Sequence, residues 1–174
     1  MNQTDTTSIN GASTVKTAKA PKLGKHAEGA IHYQILTDSE RKQPMFQIIG
    51  NEGGGYYSKE ILVFDDVESC LSLHPPEQPF PSKLLQAVFM GRSSNNAGFL
   101  AAILRAEGLL ALAPDTEGRH VIAGDWTAWK ASMLDEPGHP VDAKPAEKEE
   151  KTDANEQLAL PSDDEKVATR RGKK

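Results

Sequence analysis

The large aromatic residues occupy only part of the 174-residue chain: five Phe, three Tyr and two Trp all lie between residues 33 and 129. Large rings dominate the energetics of a protein core because they bury the most area. Segments 1–27 and 137–174 are rich in small, polar and charged residues, and they offer too little apolar area to offset the entropy of ordering. The sequence therefore predicts one domain over residues 28–136, a disordered N-terminal segment and a disordered, charged C-terminal tail.

Charge and composition exclude several classes of protein. The net charge is −5, and residues 28–135 carry 14 acidic and 8 basic residues, a net charge of −6. Strong non-specific DNA binding needs clustered cations and is therefore not expected of the domain itself. Cys70 is the only cysteine, which excludes an internal disulfide, and the sequence has no signal peptide and no run of 18 apolar residues. We expect a reduced, cytoplasmic protein that does not enter a membrane.

The stretch GNEGGGYYSKE, residues 50–60, has two interpretations, a phosphate-binding loop or a chain reversal. A P-loop requires Gly-Lys-Ser/Thr at the end of its glycine spacing, whereas Tyr56 and Tyr57 follow the glycines here. The run before it, residues 30–37, alternates apolar and polar residues, and the run after it is rich in aromatic and β-branched residues. The pattern favours a β-hairpin connection, in which Glu52 should be dispensable.

The two tyrosines after the glycines are candidate interaction residues. If Tyr56 and Tyr57 lie on a strand, they face opposite sides of it, and one of them is exposed. An exposed tyrosine beside a glycine-rich tip is a possible contact surface for a partner protein. The alternative, which the pattern favours, is that the ring packs under a neighbouring loop.

Helical patterns follow the strand-like runs. Residues 64–73 place apolar side chains at spacings of three and four, and prolines end that helix. Ser82 is the expected cap of a second helix, and Ser or Asn residues at 93–96 are expected to cap a third. The third helix should end at Gly108 in a Schellman motif.

The remaining pattern is a second hairpin and a last helix. Residues 109–113 and 119–123 flank a turn rich in Pro, Asp and Gly, and Asp125 is the expected cap of a helix that carries both tryptophans. The predicted fold class is α+β: an antiparallel meander, then a helical segment with a second β-hairpin.

The order helix, turn, helix, hairpin over residues 65–124 resembles that of winged-helix domains. In those domains the helix before the hairpin enters a DNA groove. The resemblance implies that the third helix and the hairpin contact nucleic acid. The candidate nucleic-acid-binding residues are Arg92, Ser94, Asn95, Asn96, Arg105 and Arg119. The alternative interpretation is that this helix is a core element whose asparagines serve as caps.

Catalytic and metal-binding patterns are weak. The five histidines lack the spacing of a zinc site, and no Gly-x-Ser-x-Gly element is present. Cys70 has acidic neighbours in sequence, which do not favour a thiolate, and the acids near residue 65 suit the start of a helix. We expect a non-enzymatic protein without a cofactor or metal. The predicted function is a DNA-associated regulatory or accessory protein that binds double-stranded DNA; the alternative is an adaptor for an unknown protein partner.

Overall fold

The computed structural model describes residues 11–141, which belong to one compact unit. The fold is α+β, as predicted: an antiparallel five-stranded sheet, a small second sheet and a few helices. In chain order the elements are β1 (Ser13–Pro21), β2 (Ala30–Thr37), β3 (Pro44–Asn51), β4 (Ile61–Val63), α1 (Phe64–Ser72), β5 (Phe80–Pro81), a 3₁₀ helix (Ser82–Val88), α2 (Ser94–Ala106), β6 (Leu110–Leu112), β7 (Arg119–Ile122), α3 (Trp126–Asp135) and β8 (His139–Pro140).

The main sheet has the strand order β4-β3-β2-β1-β8. Its strand β2 matches the predicted alternation, because Ile31, Tyr33 and Ile35 are buried while His32 and Gln34 are only partly buried. Strand β2 buries five of its eight residues and β3 buries four of eight, and both lie inside the sheet, between β4 and β1. This part of the fold follows from the period of two that the sequence displays.

The predicted domain boundaries are wrong at both ends. Residues 13–21, expected to be disordered, form β1, which pairs with β2 along its whole length. Strand β8, beyond the expected boundary at residue 136, pairs with the start of β1. The sequence did not indicate β1 because the apolar side chains of this strand are small. Ala20 is fully buried, and β1 packs against α2 without a large apolar side chain. The predictions for residues 1–10 and 142–174 lie outside the described residues.

The helices pack on the sheet and form one core with it. Helix α2 contacts β1 and β2, whereas α3 contacts β2 and β3. The ring of Trp129 stacks on Phe46 and on Phe64, with centroid distances of 5.4 and 5.1 Å. The aromatic residues that marked the domain in the sequence thus join α1, α3 and the sheet.

Helix α2 begins and ends as the sequence predicts. The side chain of Ser93 accepts a hydrogen bond from the backbone of Asn95. At the other end Gly108 has a φ of +75°, and the amide of Leu109 donates to the carbonyl of Leu104 at 2.8 Å. This is the Schellman ending, which needs a left-handed residue after the helix.

The second sheet has the order β5-β7-β6. The predicted hairpin is present as β6 and β7, and Asp125 caps α3 through the amide of Ala128 at 2.9 Å. Strand β5 was not predicted, because two residues give no periodicity. The prediction that Ser82 caps a helix is wrong: that segment is a 3₁₀ helix without a side-chain cap.

The glycine-rich stretch lies in the connection between β3 and β4, which pair antiparallel. Gly53, Gly54 and Gly55 all have positive φ, between +80° and +96°. The stretch is therefore a chain reversal, although the connection is longer than a tight hairpin and both tyrosines lie in the loop instead of on a strand.

Candidate functional site

A groove of about 690 Å³ lies beside α2. Its walls are the loop 22–27 after β1, one flank of α2 and the turn between β6 and β7. We call it the α2 groove. It combines three cationic side chains with an apolar surface and a glycine; these residues are Lys22, Lys25, Arg105, Leu23, Phe99 and Gly98.

The groove holds more positive than negative charge. Its only lining carboxylate is Glu117, whose Oε1 lies 3.3 Å from Nζ of Lys25. This ion pair connects the loop 22–27 to the β6–β7 turn, and both of its side chains are mostly exposed. Lys22 contacts the backbone carbonyl of Glu52, and no carboxylate within the described part of the chain pairs with Lys22 or Arg105. Two cations therefore remain available for an anionic ligand.

His120 and Ser82 form a polar contact at the inner end of the groove. Nε2 of His120 lies 2.7 Å from Oγ of Ser82, and the imidazole is 2% exposed. Burial lowers the pKa of His120, and the nearby Arg105 guanidinium lowers it further. A serine nucleophile needs a histidine that a third group orients. Since Nδ1 of His120 has no hydrogen-bond partner among residues 11–141, this pair lacks the arrangement of a catalytic triad.

The candidate residues on α2 do not all line the α2 groove. Ser94, Asn95 and Arg105 all line the α2 groove. Asn96 does not, because its side chain is fully buried and accepts a hydrogen bond from the amide of Ser58 at 3.0 Å. The prediction that Asn96 contacts nucleic acid is therefore wrong: its amide holds the β3–β4 connection against α2.

The other two arginines lie outside the groove. Arg92 is exposed before the start of α2, and Arg119 is exposed at the start of β7. The span of α2, at about 1.5 Å per residue, separates Arg92 from Arg105 by roughly 20 Å. The three arginines thus do not form one compact patch, and only Arg105 faces the groove.

The two lysines of the groove are functional candidates that sequence reasoning missed. Lys22 and Lys25 fall in the segment expected to be disordered. The sequence shows the positive charge of that segment. It does not predict β1, because this strand contains no large apolar residue. Once β1 is placed in the sheet, the loop that follows it brings both lysines next to α2.

The two tyrosines after the glycines differ in their exposure to solvent. Tyr56 is 70% exposed, whereas the hydroxyl of Tyr57 donates to the carbonyl of Ile49 at 3.1 Å and its ring packs against the core. Asn95 donates to the backbone carbonyl of Tyr56. The backbone of Tyr56 therefore lies against the start of α2.

Glu52 has a structural role that the hairpin interpretation did not include. Its carboxylate lies 2.9 Å from Nζ of Lys19 and 2.7 Å from Nε2 of His32, and it accepts from the amide of Ala30 at 3.0 Å. The hydrogen bonds from Lys19 and His32 lower the pKa of Glu52 to about 2. Glu52 therefore links the glycine-rich connection to β1 and β2.

Potential metal ligands, membrane-spanning helices and the cysteine indicate no further site among residues 11–141. Residues 11–141 contain no cluster of three His, Cys, Asp or Glu side chains suited to a metal ion. Within the same range, each helix is too short or too polar to cross a bilayer. Burial raises the pKa of the Cys70 thiol, so the thiolate is disfavoured.

Comparison of the chain with known proteins finds no matching family model, no matching curated protein and no matching solved structure. The α2 groove must therefore be interpreted from its own chemistry.

Proposed function

We propose that this protein is a DNA-associated accessory protein that contacts nucleic acid through the α2 groove. The observation that carries the proposal is the convergence of three elements on one surface. The exposed flank of α2, the β6–β7 turn and the loop 22–27 bring Lys22, Lys25 and Arg105 together against the single carboxylate of Glu117. Clustered cations that face phosphates supply most of the affinity for nucleic acid.

The chain path supports the same proposal. The order α1, β5, 3₁₀ helix, α2, β6, β7 matches the helix and hairpin succession of winged-helix domains. The short strand β5 pairs with the hairpin, which joins the helical segment and the wing into one unit. In such domains the helix before the hairpin and the wing lie on the same side of the nucleic acid. Here both elements line the α2 groove.

The acidic net charge is compatible with this surface. The chain carries −5 in total, so its overall field repels DNA at long range. Binding must therefore come from local contacts. Among the described residues, Lys22 and Arg105 have no carboxylate partner, whereas Lys25 pairs with the exposed Glu117.

Fluorescence anisotropy of the full chain with labelled nucleic acid across a salt series tests the proposal. Arg105 makes no side-chain hydrogen bond within the described residues, so Arg105→Ala should leave the fold intact. We expect it to weaken binding and to reduce the slope of log affinity against log salt by about 1. Lys59→Ala removes an exposed cation outside the groove and should bind like wild type. Absence of binding at low salt would refute the proposal.

A second candidate function, a protein adaptor, rests on Tyr56. Its ring is 70% exposed beside the backbone that Asn95 holds. Exposed tyrosine is enriched at protein interfaces because it offers large area with a polar end. A partner that is retained after nuclease treatment, and lost with Tyr56→Ala but not with Lys59→Ala, would favour the adaptor.

A further inference from the structure

We propose that the α2 groove binds single-stranded nucleic acid in preference to duplex. This inference rests on the proposed function and specifies the ligand of the same site. It depends on three observations: α2 offers only one flank to a ligand, its exposed flank carries an aromatic ring between cations, and an ion pair spans the mouth of the groove.

Helix α2 offers only one flank to a ligand. Its buried residues number seven, on the side that faces β1, β2 and the core. A helix that reads duplex DNA must enter a major groove about 12 Å wide and about 8.5 Å deep. On its exposed flank, α2 lies between the loop 22–27 and the β6–β7 turn, which contact each other through Lys25 and Glu117 at 3.3 Å. The groove flank of α2 therefore lies between two walls, and we expect a flexible strand to follow it more easily than a rigid duplex.

A single strand fits the chemistry of the groove. Sites for single strands combine an aromatic platform for bases with cations along the backbone path. Phe99 is partly buried against the core and lines the groove on the flank of α2, and Leu112, 53% exposed, lies on the opposite wall. Lys22 and Arg105 supply cations without carboxylate partners in the described chain. The volume of about 690 Å³ falls within the range of ligand sites, and a flexible strand can follow its path.

The Lys25–Glu117 pair is weak enough to open. Both side chains are largely exposed, 73% and 79%, so the pair contributes little to the stability of the fold. A phosphate can replace the Glu117 carboxylate as the partner of Lys25. Glu117 then competes with the ligand, and its removal should strengthen binding.

Gly98 provides the sharpest test, because a side chain there extends into the groove. A Cβ at Gly98 would have no atom within 4 Å, so substitution does not disturb the packing. Replacing a helical glycine by alanine also favours the helix, so Gly98→Ala should fold like wild type. Gly98→Glu places a bulky anion in the groove, whereas Gly98→Ala adds only a methyl group.

The experiment uses the full chain, labelled oligothymidine, and a labelled duplex of equal length, all measured by anisotropy across a salt series. We expect oligothymidine to bind at least tenfold more tightly than the duplex. Gly98→Glu should abolish this binding, Gly98→Ala should retain it, and Glu117→Gln should tighten it several-fold.

Failure of this inference differs from failure of the proposed function. Duplex binding equal to or tighter than single-strand binding would overturn the preference and leave DNA association standing. Binding of oligothymidine that is the same in wild type and Gly98→Glu would also overturn it, because the contact would lie elsewhere on the chain. No binding to either probe at low salt would refute both.

Discussion

Replacement of Glu107 by glutamine should destabilise the fold more than any other single removal of a carboxylate charge. The Glu107 side chain is 3% exposed and lies at the C-terminal end of α2. It accepts hydrogen bonds from Nζ of Lys16 at 2.8 and 3.0 Å, from Nε1 of Trp129 at 3.1 Å, and from the hydroxyl of Tyr33. These donors come from β1, α3 and β2, so one carboxylate joins three elements to α2.

The magnitude follows from the number of acceptors. A glutamine has the same shape but only one acceptor oxygen, so at least one of the donors loses its partner. A buried donor without a partner costs about 1–3 kcal/mol. Loss of the charge-assisted bond to Lys16 adds to this, but Lys16 is 42% exposed and regains water. We therefore expect a loss of about 2–3 kcal/mol, short of the 3–5 kcal/mol typical of a fully buried pair.

Urea denaturation at neutral pH, followed by tryptophan fluorescence, measures this loss. At about 1–3 kcal/mol per molar urea, the midpoint should fall by about 0.7–3 M. Glu117→Gln is the matched control, because it makes the same change in an exposed ion pair and should cost less than about 0.5 kcal/mol. If the two variants have the same stability as each other, Glu107 does not hold the elements together and the reasoning fails.

Two further predictions concern the glycine-rich connection and the end of α2. Because its partners lower the pKa of Glu52 to about 2, Glu52 should stabilise the fold above its ordinary pKa of about 4.3, and this contribution should be lost as the pH falls towards 2. Glu52→Gln should therefore be less stable than wild type at pH 6, with the difference shrinking at pH 3 in urea titrations; a constant difference would contradict the linkage. Gly108→Ala, at a φ of +75° in open space, should cost about 1 kcal/mol, whereas Gly124→Ala should cost clearly more, because its Cβ would lie 2.4 Å from the carbonyl oxygen of Gly108. Equal denaturation midpoints for the two glycine variants would show that the close approach is not maintained in solution.

Local sequence patterns predicted the elements whose signals are contained within a few residues. The alternation in β2, the cap of α2 at Ser93 and the Schellman ending at Gly108 each depend on neighbours within about six positions. The same is true of the hairpin formed by β6 and β7 and of the cap of α3 at Asp125. Such features are predictable because side-chain period, capping and positive φ are properties of a short segment.

The candidate site was only partly predictable. The hypothesis that α2 and its hairpin form the contact surface identified Arg105, Ser94 and Asn95, which line the groove. It also included Asn96, whose burial against Ser58 depends on a segment 38 residues away. The sequence of α2 does not show whether Asn96 faces solvent or the core. The packing of α2 against distant segments decides this.

The sequence by itself determined the fold class, the central strands and the ends of α2, because these follow from local periodicity and backbone conformation. Only the tertiary structure decided that residues 13–21 join the sheet, since a strand of small residues becomes stable when a neighbouring strand and α2 supply the apolar contacts. It also decided that Lys22 and Lys25 lie in the same groove as Arg105, which comes at least 80 positions later in the chain. The charge of a surface depends on which distant segments the fold brings together, and that information is not present in any one of them.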